Sequence, residues 1–264
     1  MAFAVGPVAA EAGYRLAVYD RVDSTNSEAL RLARDGDRGP LWIAALEQTA
    51  GRGRRGREWL SQDGNLTVSL LMSGSFAPRV AATLGFVAAL AVHEACSASV
   101  PGSHLTLKWP NDLLADDAKL AGILLESEIH GDRLAVVVGI GVNVLSAPAS
   151  TDRPATSLRA LGHSVTLETL FARLTDAWCR HEAIWDQGRG FAAIRRLWLE
   201  RAHGIGAPVS VRIGERVETG VFETLDAEGC MILRMPNGGT KSVSAGDVYF
   251  GNAATARGNS GAMH

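Results

Sequence analysis

Cysteine is scarce in this 264-residue chain, and the charges nearly cancel. The three cysteines, Cys96, Cys179 and Cys230, lie far apart without a CxxC pair, which argues against a disulfide framework and a zinc-finger-type site. The 26 Lys and Arg residues against 28 Asp and Glu residues give a net charge of −2. We therefore expect no strongly basic face that would attract nucleic acid or an anionic membrane.

The sequence also lacks a targeting segment, a membrane span and an internal repeat. Residues 1–12 carry no basic region before their apolar residues, unlike a secretory signal. The longest apolar stretch, 80–98, contains His93 and Glu94, and we expect it to be too weak to cross a bilayer. A hydrophobic fraction of 47% is enough for a sizeable core. These features predict a cytoplasmic protein without membrane association.

Lysine is also scarce in this chain. Only Lys108, Lys119 and Lys241 are lysines among the 26 basic residues, so arginine supplies nearly all of the positive charge. Two of the three lysines lie within one short segment, which indicates chemistry for which a guanidinium would not serve. Codon usage is the alternative explanation.

Hydrophobic periodicity predicts a mixed α+β chain. A Thr25-x-x-Glu28 capping box predicts a helix over 25–33, and Thr166 is expected to cap a later one. The expected strands are 14–22, 41–47, 66–72, 105–109, 123–129 and 134–144, and further helices are expected from Pro78 and over 191–202.

The pattern changes after residue 204. Short strands at 209–213, 216–225, 230–235 and 240–243, separated by turn residues, are typical of a small barrel or sandwich. We accordingly divide the chain into an N-terminal extension (1–13), a larger domain (14–204), a small β domain (205–251) and a disordered tail (252–264).

The segment Gly51-Arg52-Gly53-Arg54-Arg55-Gly56-Arg57, followed by Trp59, alternates arginine with glycine. Guanidinium groups bind phosphate and carboxylate in a bidentate manner, and glycine allows the backbone to approach the anion. We expect a loop that stays mobile until an anion neutralises it. The alternatives are a solvated basic loop without a ligand and an RNA-contacting segment. The acidic total charge and the missing aromatic platform oppose RNA binding.

A second candidate is Lys108-Trp109-Pro110-Asn111-Asp112, followed by Lys119-Leu120-Ala121-Gly122. A lysine at a strand end followed by proline, an amide and a carboxylate is typical of a binding corner. Asp112 could hold a magnesium ion. A type I turn with no binding role is the alternative.

Two weaker candidates complete the set. Asp23-Ser24-Thr25-Asn26 opens a helix, whose N-terminal N–H groups and hydroxyls can serve a ligand or merely cap the helix. Gly139-Ile140-Gly141-Val142-Asn143 is a poor dinucleotide motif because no GxGxxG helix follows, but Asn143 at a strand end can hydrogen-bond a ligand.

Taken together, these segments resemble the biotin protein ligases over residues 14–250. The most specific parts run from Glu47 to Trp59, from Lys108 to Asp112, from Lys119 to Leu124 and from Gly139 to Asn143, in the order of the family. The resemblance implies a class II synthetase-like domain, a mixed β-sheet flanked by helices, with a small C-terminal SH3-like β-barrel. Lipoate–protein ligases share the catalytic fold and are the alternative, but they lack the arginine loop and the lysine corner together.

The resemblance also implies an activity. Such an enzyme joins biotin to AMP using ATP and magnesium, then passes the biotinoyl group to a lysine of a biotin carboxyl carrier protein. Many members form homodimers. Some carry an N-terminal winged-helix domain and repress transcription, but only about 13 residues precede the first strand here, so we expect a ligase without DNA binding.

Site residues are implied by position in the matching motifs. The catalytic set is Lys108, Arg54 and Lys119, and Asp112 is the magnesium candidate. Biotin is expected to contact Ser24, Thr25, Asn26, Gln48, Gly51, Arg52, Gly53, Arg54, Lys108 and Gly122. ATP is expected to contact Arg52, Arg54, Arg55, Arg57, Trp59, Asn111, Lys119 and Asn143.

Overall fold

A computed structural model describes residues 3–60, 63–148 and 154–250. The predicted tail, 252–264, lies outside the described residues. The helices are α1 (Pro7–Glu11), α2 (Thr25–Arg34), α3 (Pro78–Ala82), α4 (Leu84–Ser97), α5 (Leu167–Trp185) and α6 (Phe191–Leu199). The α+β expectation is confirmed.

The larger sheet is mixed, as predicted. Its strands are β1 (Arg15–Val22), β2 (Leu41–Gln48), β3 (Leu66–Gly74), β4 (Leu105–Lys108), β5 (Asp112–Ala115), β6 (Ala118–His130) and β7 (Arg133–Val142). They are ordered β1-β2-β3-β7-β6-β5-β4, with β1 and β2 parallel and every other pair antiparallel.

Helices cover both faces of this sheet. Helices α4, α5 and α6 pack on one face in the main core, and α2 packs on the other against β2, β3 and β7. Strand β7 shows why its sequence is almost continuously apolar: Val136 and Val138 face the main core while Ala135 and Val137 lie under α2. Beyond α2 the same face carries Gly139 and Gly141, and this uncovered part of the sheet forms the floor of the site described below.

The C-terminal strands form a second, antiparallel sheet. Its strands are β8 (Pro208–Ile213), β9 (Arg216–Leu225), β10 (Met231–Arg234), β11 (Thr240–Val243) and β12 (Asp247–Phe250), in the order β11-β10-β9-β8-β12. The first four correspond to the predicted short strands. Strand β12 was not predicted, because four residues alternating Asp-Val-Tyr-Phe give too short a pattern to recognise.

Several local predictions were wrong. The capping box is absent: Ser24 is the N-cap residue of α2, and no side chain caps the helix. The Thr25 hydroxyl instead donates to Gln48, and Glu28 accepts a hydrogen bond from Tyr19, so tertiary partners have replaced the local ones. By contrast, the expected Thr166 cap is present, and its side chain accepts a hydrogen bond from the Thr169 N–H.

The apolar stretch after Pro78 also differs from expectation. Residues 78–97 are long and apolar enough to cross a membrane by length and composition, but 67% of the most apolar window is buried inside the protein. This burial against α5, α6 and the sheet accounts for the apolar sequence.

Candidate functional site

A cavity of about 450 Å³ opens on the α2 face of the larger sheet. Its size falls within the usual range of small-molecule sites. It is bounded by the N-terminus of α2, the arginine loop, the corner after β4 and the start of β12. The predicted site residues on its lining are Ser24, Thr25, Asn26, Gln48, Arg52, Gly53, Arg54, Arg57, Trp59, Asn111, Asp112, Lys119, Gly122 and Asn143.

Strand register explains how distant motifs meet. Lys108 of β4 pairs with Asp112 of β5, Asp112 with Gly122 of β6, Gly122 with Gly141 of β7, and Gly141 with Thr67 of β3. Paired residues on neighbouring strands project to the same face of a sheet. A single row across the cavity face therefore brings together the lysine corner, the Lys-Leu-Ala-Gly segment and the Gly-x-Gly segment.

The glycines of β7 are required by close packing. A Cβ on Gly139 would lie 2.2 Å from Asn26 Oδ1, and one on Gly141 would lie 2.3 Å from Trp59 Cε2. Asn26 and Trp59 thus rest directly on the backbone of β7. Trp59 Nε1 is itself buried against Gly141, without a hydrogen-bond acceptor among the described residues.

One end of the cavity is lined by a polar network. Thr25 donates its backbone N–H (2.8 Å) and its hydroxyl (3.0 Å) to Gln48 Oε1. Ser69 Oγ lies 2.7 Å from Thr25 Oγ1 and 2.6 Å from Asn26 Oδ1, and its single proton serves one of these acceptors at a time. The Asn26 amide donates to Glu126 Oε2 at 2.8 Å. This network can exchange hydrogen bonds with a ligand that carries both donors and acceptors.

Ser69 and Glu126 were missed by the sequence analysis. Ser69 is fully buried on β3, and the side chain of Glu126 on β6 is 29% exposed; neither residue lines the cavity itself. Strand alternation places both on the α2 face, but alternation alone cannot tell a ligand contact from a residue under a helix. The sequence did contain one signal for these two residues: a serine and a glutamate stand inside otherwise apolar strands.

The arginine loop is closed on itself rather than extended. Gly53 N–H donates to the Arg57 carbonyl at 2.7 Å, and Arg52 pairs with Glu58 in an isolated β-bridge. The Arg52 guanidinium donates to Glu126 at 2.9 Å and to the Ser27 hydroxyl. We expected the loop to stay mobile until an anion neutralised it, and at this end a carboxylate of the protein itself supplies the negative charge.

The other arginines are held by the start of β12. Arg55 Nη1 lies 2.7 Å from Asp247 Oδ2, Arg57 binds the second oxygen of the same carboxylate, and Arg54 Nη1 is 3.5 Å from the Gly246 carbonyl. Asp247 is only 13% exposed. The C-terminal sheet therefore fixes the loop over the cavity, a role that the sequence analysis missed along with β12.

Replacing Asp247 by Asn should loosen this loop. Loss of two partly exposed ion pairs lowers the free energy of opening the loop by about 1 kcal/mol. The opened loop is then about five times more populated, so trypsin should cleave after the loop arginines about fivefold faster in the ligand-free protein. Asp186→Asn, which removes a carboxylate paired with Arg189 at a remote exposed site, is the matched control. Equal cleavage of the Asp247 variant and the parent would show that Asp247 does not hold the loop.

Arg54 is the most enclosed of the loop arginines. Its Nη1 donates to Asn111 Oδ1 at 3.1 Å, and the Asn111 amide in turn donates to the Ile123 carbonyl at 2.8 Å. Burial lowers the pKa of Arg54, the Asp247 carboxylate opposes this shift, and the neighbouring Arg55 adds to it. A desolvated cation next to further cations is suited to an anionic ligand.

Lys119 and Asp112 form an ion pair on the cavity wall. Lys119 Nζ lies 2.7 Å from Asp112 Oδ1 and 5.4 Å from the centroid of the Trp59 ring. A Cβ on Gly122 would lie 3.2 Å from Lys119 Nζ, so the glycine leaves room for the lysine. The described residues contain no group of three or more His, Cys, Asp or Glu side chains able to hold a metal ion. Any metal held through Asp112 would need further ligands from a substrate.

Three predicted site residues do not line the cavity: Gly51, Arg55 and Lys108. Lys108 is buried on the cavity face one strand beyond Asp112, with Nζ 5.6 Å from the centroid of the Phe250 ring. Phe250 also packs edge-on against His203. The Lys108 ammonium therefore lies near the Phe250 ring of β12, and its side chain must rotate to reach the cavity.

Asn143 lies at the end of β7 and its amide is used within the protein. It donates to the Thr156 carbonyl at 3.0 Å, while its backbone N–H donates to the Leu120 carbonyl. Asn143 thus ties the cavity wall to the segment after residue 154.

Comparisons with known proteins agree with this geometry. Residues 18–143 match the biotin/lipoate A/B protein ligase family, and residues 204–251 match the biotin protein ligase C-terminal domain. The chain is 44% identical to the biotin–[acetyl-CoA-carboxylase] ligase of Paracoccus denitrificans, over 88% of this chain and 98% of that protein. It is 30% identical to the bifunctional ligase/repressor of Escherichia coli, over 91% of this chain and 75% of that protein.

A solved structure has the same fold. The biotin protein ligase of Aquifex aeolicus in complex with biotin and ATP is 27% identical and superposes with a TM-score of 0.74, covering 89% of this chain and 98% of that one. The expected class II synthetase-like fold is therefore confirmed.

Proposed function

Because the chain belongs to the biotin protein ligase family, we propose that it uses ATP to convert biotin to biotinoyl-5′-AMP and then biotinylates a lysine of a carboxylase carrier protein. The observation that carries this proposal is the cavity, which brings the arginine loop, the lysine corner and the helix-α2 motif onto one wall. The carrier is inferred from the Paracoccus relative, whose name gives acetyl-CoA carboxylase as the protein it acts on.

The polar end of the cavity suits the ring of biotin. The ureido group has N–H donors and a carbonyl acceptor, and Thr25 and Gln48 offer both kinds of partner there, with Ser69 buried behind Thr25. A site built to hydrogen-bond a substrate strongly disfavours an analogue without those groups. Lipoate carries no such group in its ring, so we assign biotin as the substrate.

The reacting centre lies toward the loop and the lysine corner. The biotin carboxylate attacks the α-phosphate of ATP, and both groups are anions whose repulsion has to be offset. Arg54 and Lys119 line this part of the cavity, and Lys108 reaches it by rotation of its side chain. These cations hold the two anions together and stabilise the charge that builds on the phosphate.

The nucleotide is assigned to the side where Trp59, Asn111 and Arg57 meet. Trp59 offers a flat ring, and Arg57 offers a guanidinium to the phosphates. Asp112 would help hold the magnesium that accompanies ATP, since Mg²⁺ is usually bound by one or two carboxylates together with substrate phosphates. The ion supplies further neutralisation of phosphate charge.

The loop also protects the adenylate. Fixed over the cavity by Asp247 and Glu126, it keeps water from the mixed anhydride. No side chain of the enzyme acts as nucleophile in this scheme, because the biotin oxygen and the carrier lysine do so. The three cysteines are free thiols, which is consistent with a reaction in the cytoplasm.

The proposal is tested by incubating the protein with radiolabelled biotin, MgATP and a biotin carboxyl carrier domain. We expect label on the carrier and release of AMP and pyrophosphate. Lipoate with a lipoyl domain is the comparison, and transfer of lipoate in place of biotin would contradict the assignment.

Arg54→Gly should separate the two half-reactions. Adenylate still forms, but it escapes because the loop has lost its contact beside the anhydride phosphate and its hydrogen bond to Asn111. The escaped adenylate labels lysines of bystander proteins such as serum albumin, measured by streptavidin blot. Tighter retention of adenylate than in the parent would show that Arg54 does not close the site.

A further inference from the structure

The cations on the cavity lining are arginines with one exception. Arg52, Arg54 and Arg57 line the cavity, and Lys119 is the exception. We propose that arginine is required at positions 54 and 57 because an amine there would be acylated by the enzyme's own product. The inference rests on the proposed function, since it needs an acyl adenylate in the cavity.

The unwanted reaction has the same chemistry as the wanted one. A neutral amine attacks the acyl carbon of biotinoyl-5′-AMP, a C–N bond forms, and the bond from that carbon to the phosphate oxygen breaks. AMP leaves with the electron pair, and the amine loses a proton to solvent. Guanidinium keeps its proton under all physiological conditions, so it supplies charge and hydrogen bonds without acting as a nucleophile.

Position 54 would activate a lysine. Arg54 is half-buried and donates to Asn111. Burial lowers its pKa, the Asp247 carboxylate opposes this shift, and the loop cations Arg55 and Arg57 add to it. Burial and nearby positive charge both favour the neutral, nucleophilic form of an amine. Arginine tolerates this environment because it is so strongly basic, whereas lysine does not.

The natural lysines are consistent with this explanation. Lys119 is ion-paired with the Asp112 carboxylate, and Lys241 lies in the C-terminal sheet 2.6 Å from Glu218. Lys108 is buried beside the Phe250 ring, and in the proposed reaction it enters the cavity between two anions, which favour its charged, non-nucleophilic form. Among the described residues, Lys119 is the only lysine that lines the cavity.

The test is Arg54→Lys, with Arg57→Lys as a second, more exposed variant. Each protein is given chemically prepared biotinoyl-5′-AMP and, in parallel, biotin with MgATP, both without carrier. Arg79→Lys is the matched control because Arg79 is exposed on helix α3, which packs on α4 and contributes nothing to the cavity lining, so the change adds one reachable lysine away from the cavity. Peptide mass spectrometry measures the biotin amide at each position.

We expect modification at position 54 to exceed that at position 79 by about tenfold or more, because an amine held beside the bound adenylate reacts at a high effective concentration. Position 57 should fall between them. Equal modification at 54, 57 and 79, or none at 54 and 57 while adenylate is bound, would overturn the proposal. If Arg54→Lys fails to fold, Arg57→Lys decides the question. Failure of the parent to form adenylate or to label the carrier counts against the proposed function instead.

Discussion

Lys108→Arg is expected to slow adenylate formation by about a hundredfold while biotin affinity stays near the parental value. The substitution keeps the positive charge, so ground-state binding of the biotin carboxylate is retained. A guanidinium is larger and planar, and it spreads its charge over three nitrogens, whereas an ammonium fits as a compact charge between carboxylate and α-phosphate. Displacement of reacting groups by about 1 Å is enough for a loss of this size.

Lys119→Arg should behave in the same way, since Lys119 is fitted between Asp112, Trp59 and the small Gly122. Single-turnover adenylate formation and calorimetric biotin affinity are the measurements, with thermal unfolding to confirm the fold. Lys241→Arg is the matched control, because this third lysine pairs with Glu218 in the C-terminal sheet and its exchange should change neither quantity. Parental rates in both site variants would mean that the lysines supply only generic charge.

The sequence predicted the elements that carry the site better than the contacts within it. Apolar patterning located most strands; β7, for example, is buried along nearly all of its length and is almost continuously apolar, a pattern that is legible without tertiary information. Family motifs placed Arg54, Asn111 and Lys119 at the cavity. Neither the apolar pattern nor the family motifs could predict where the Lys108 side chain points, because strand register fixes the face of the sheet on which a residue lies but not its rotamer.

The missed residues share a physical reason. Asp247 is contributed by a four-residue strand, and its two arginine partners lie about 190 positions away in sequence. Ser69 and Glu126 act through Asn26, which no local pattern connects to either strand. Thr25 is a case in which a local signal was present but was not used. It opens a capping-box motif in the sequence, yet its hydroxyl donates to Gln48 in the structure. Tertiary hydrogen bonds can override local signals of this strength.

Gly139→Ala and Gly141→Ala should affect opposite ends of the cavity, although the two glycines are separated by one residue. At position 139 the new methyl group meets Asn26, which is held by Ser69 and Glu126, so the polar network breaks. Disrupting one buried hydrogen-bonded group costs about 1–3 kcal/mol, or about fivefold to 150-fold in biotin affinity. ATP affinity should change little.

At position 141 the methyl group meets the rigid ring of Trp59 at 2.3 Å and lifts it from the floor, away from its place beside Lys119. Overpacking of this kind costs about 1–3 kcal/mol. ATP affinity should therefore fall by about fivefold to 150-fold in this variant, with biotin affinity nearly unchanged. Gly85→Ala in helix α4 is the matched control, since its methyl group would make only ordinary contact with Leu125 of β6. Calorimetric titration of each variant with biotin and with ATP separates the two effects. If Gly139→Ala weakened ATP and Gly141→Ala weakened biotin, the assignment of the polar end to biotin and of the Trp59 end to the nucleotide would be reversed.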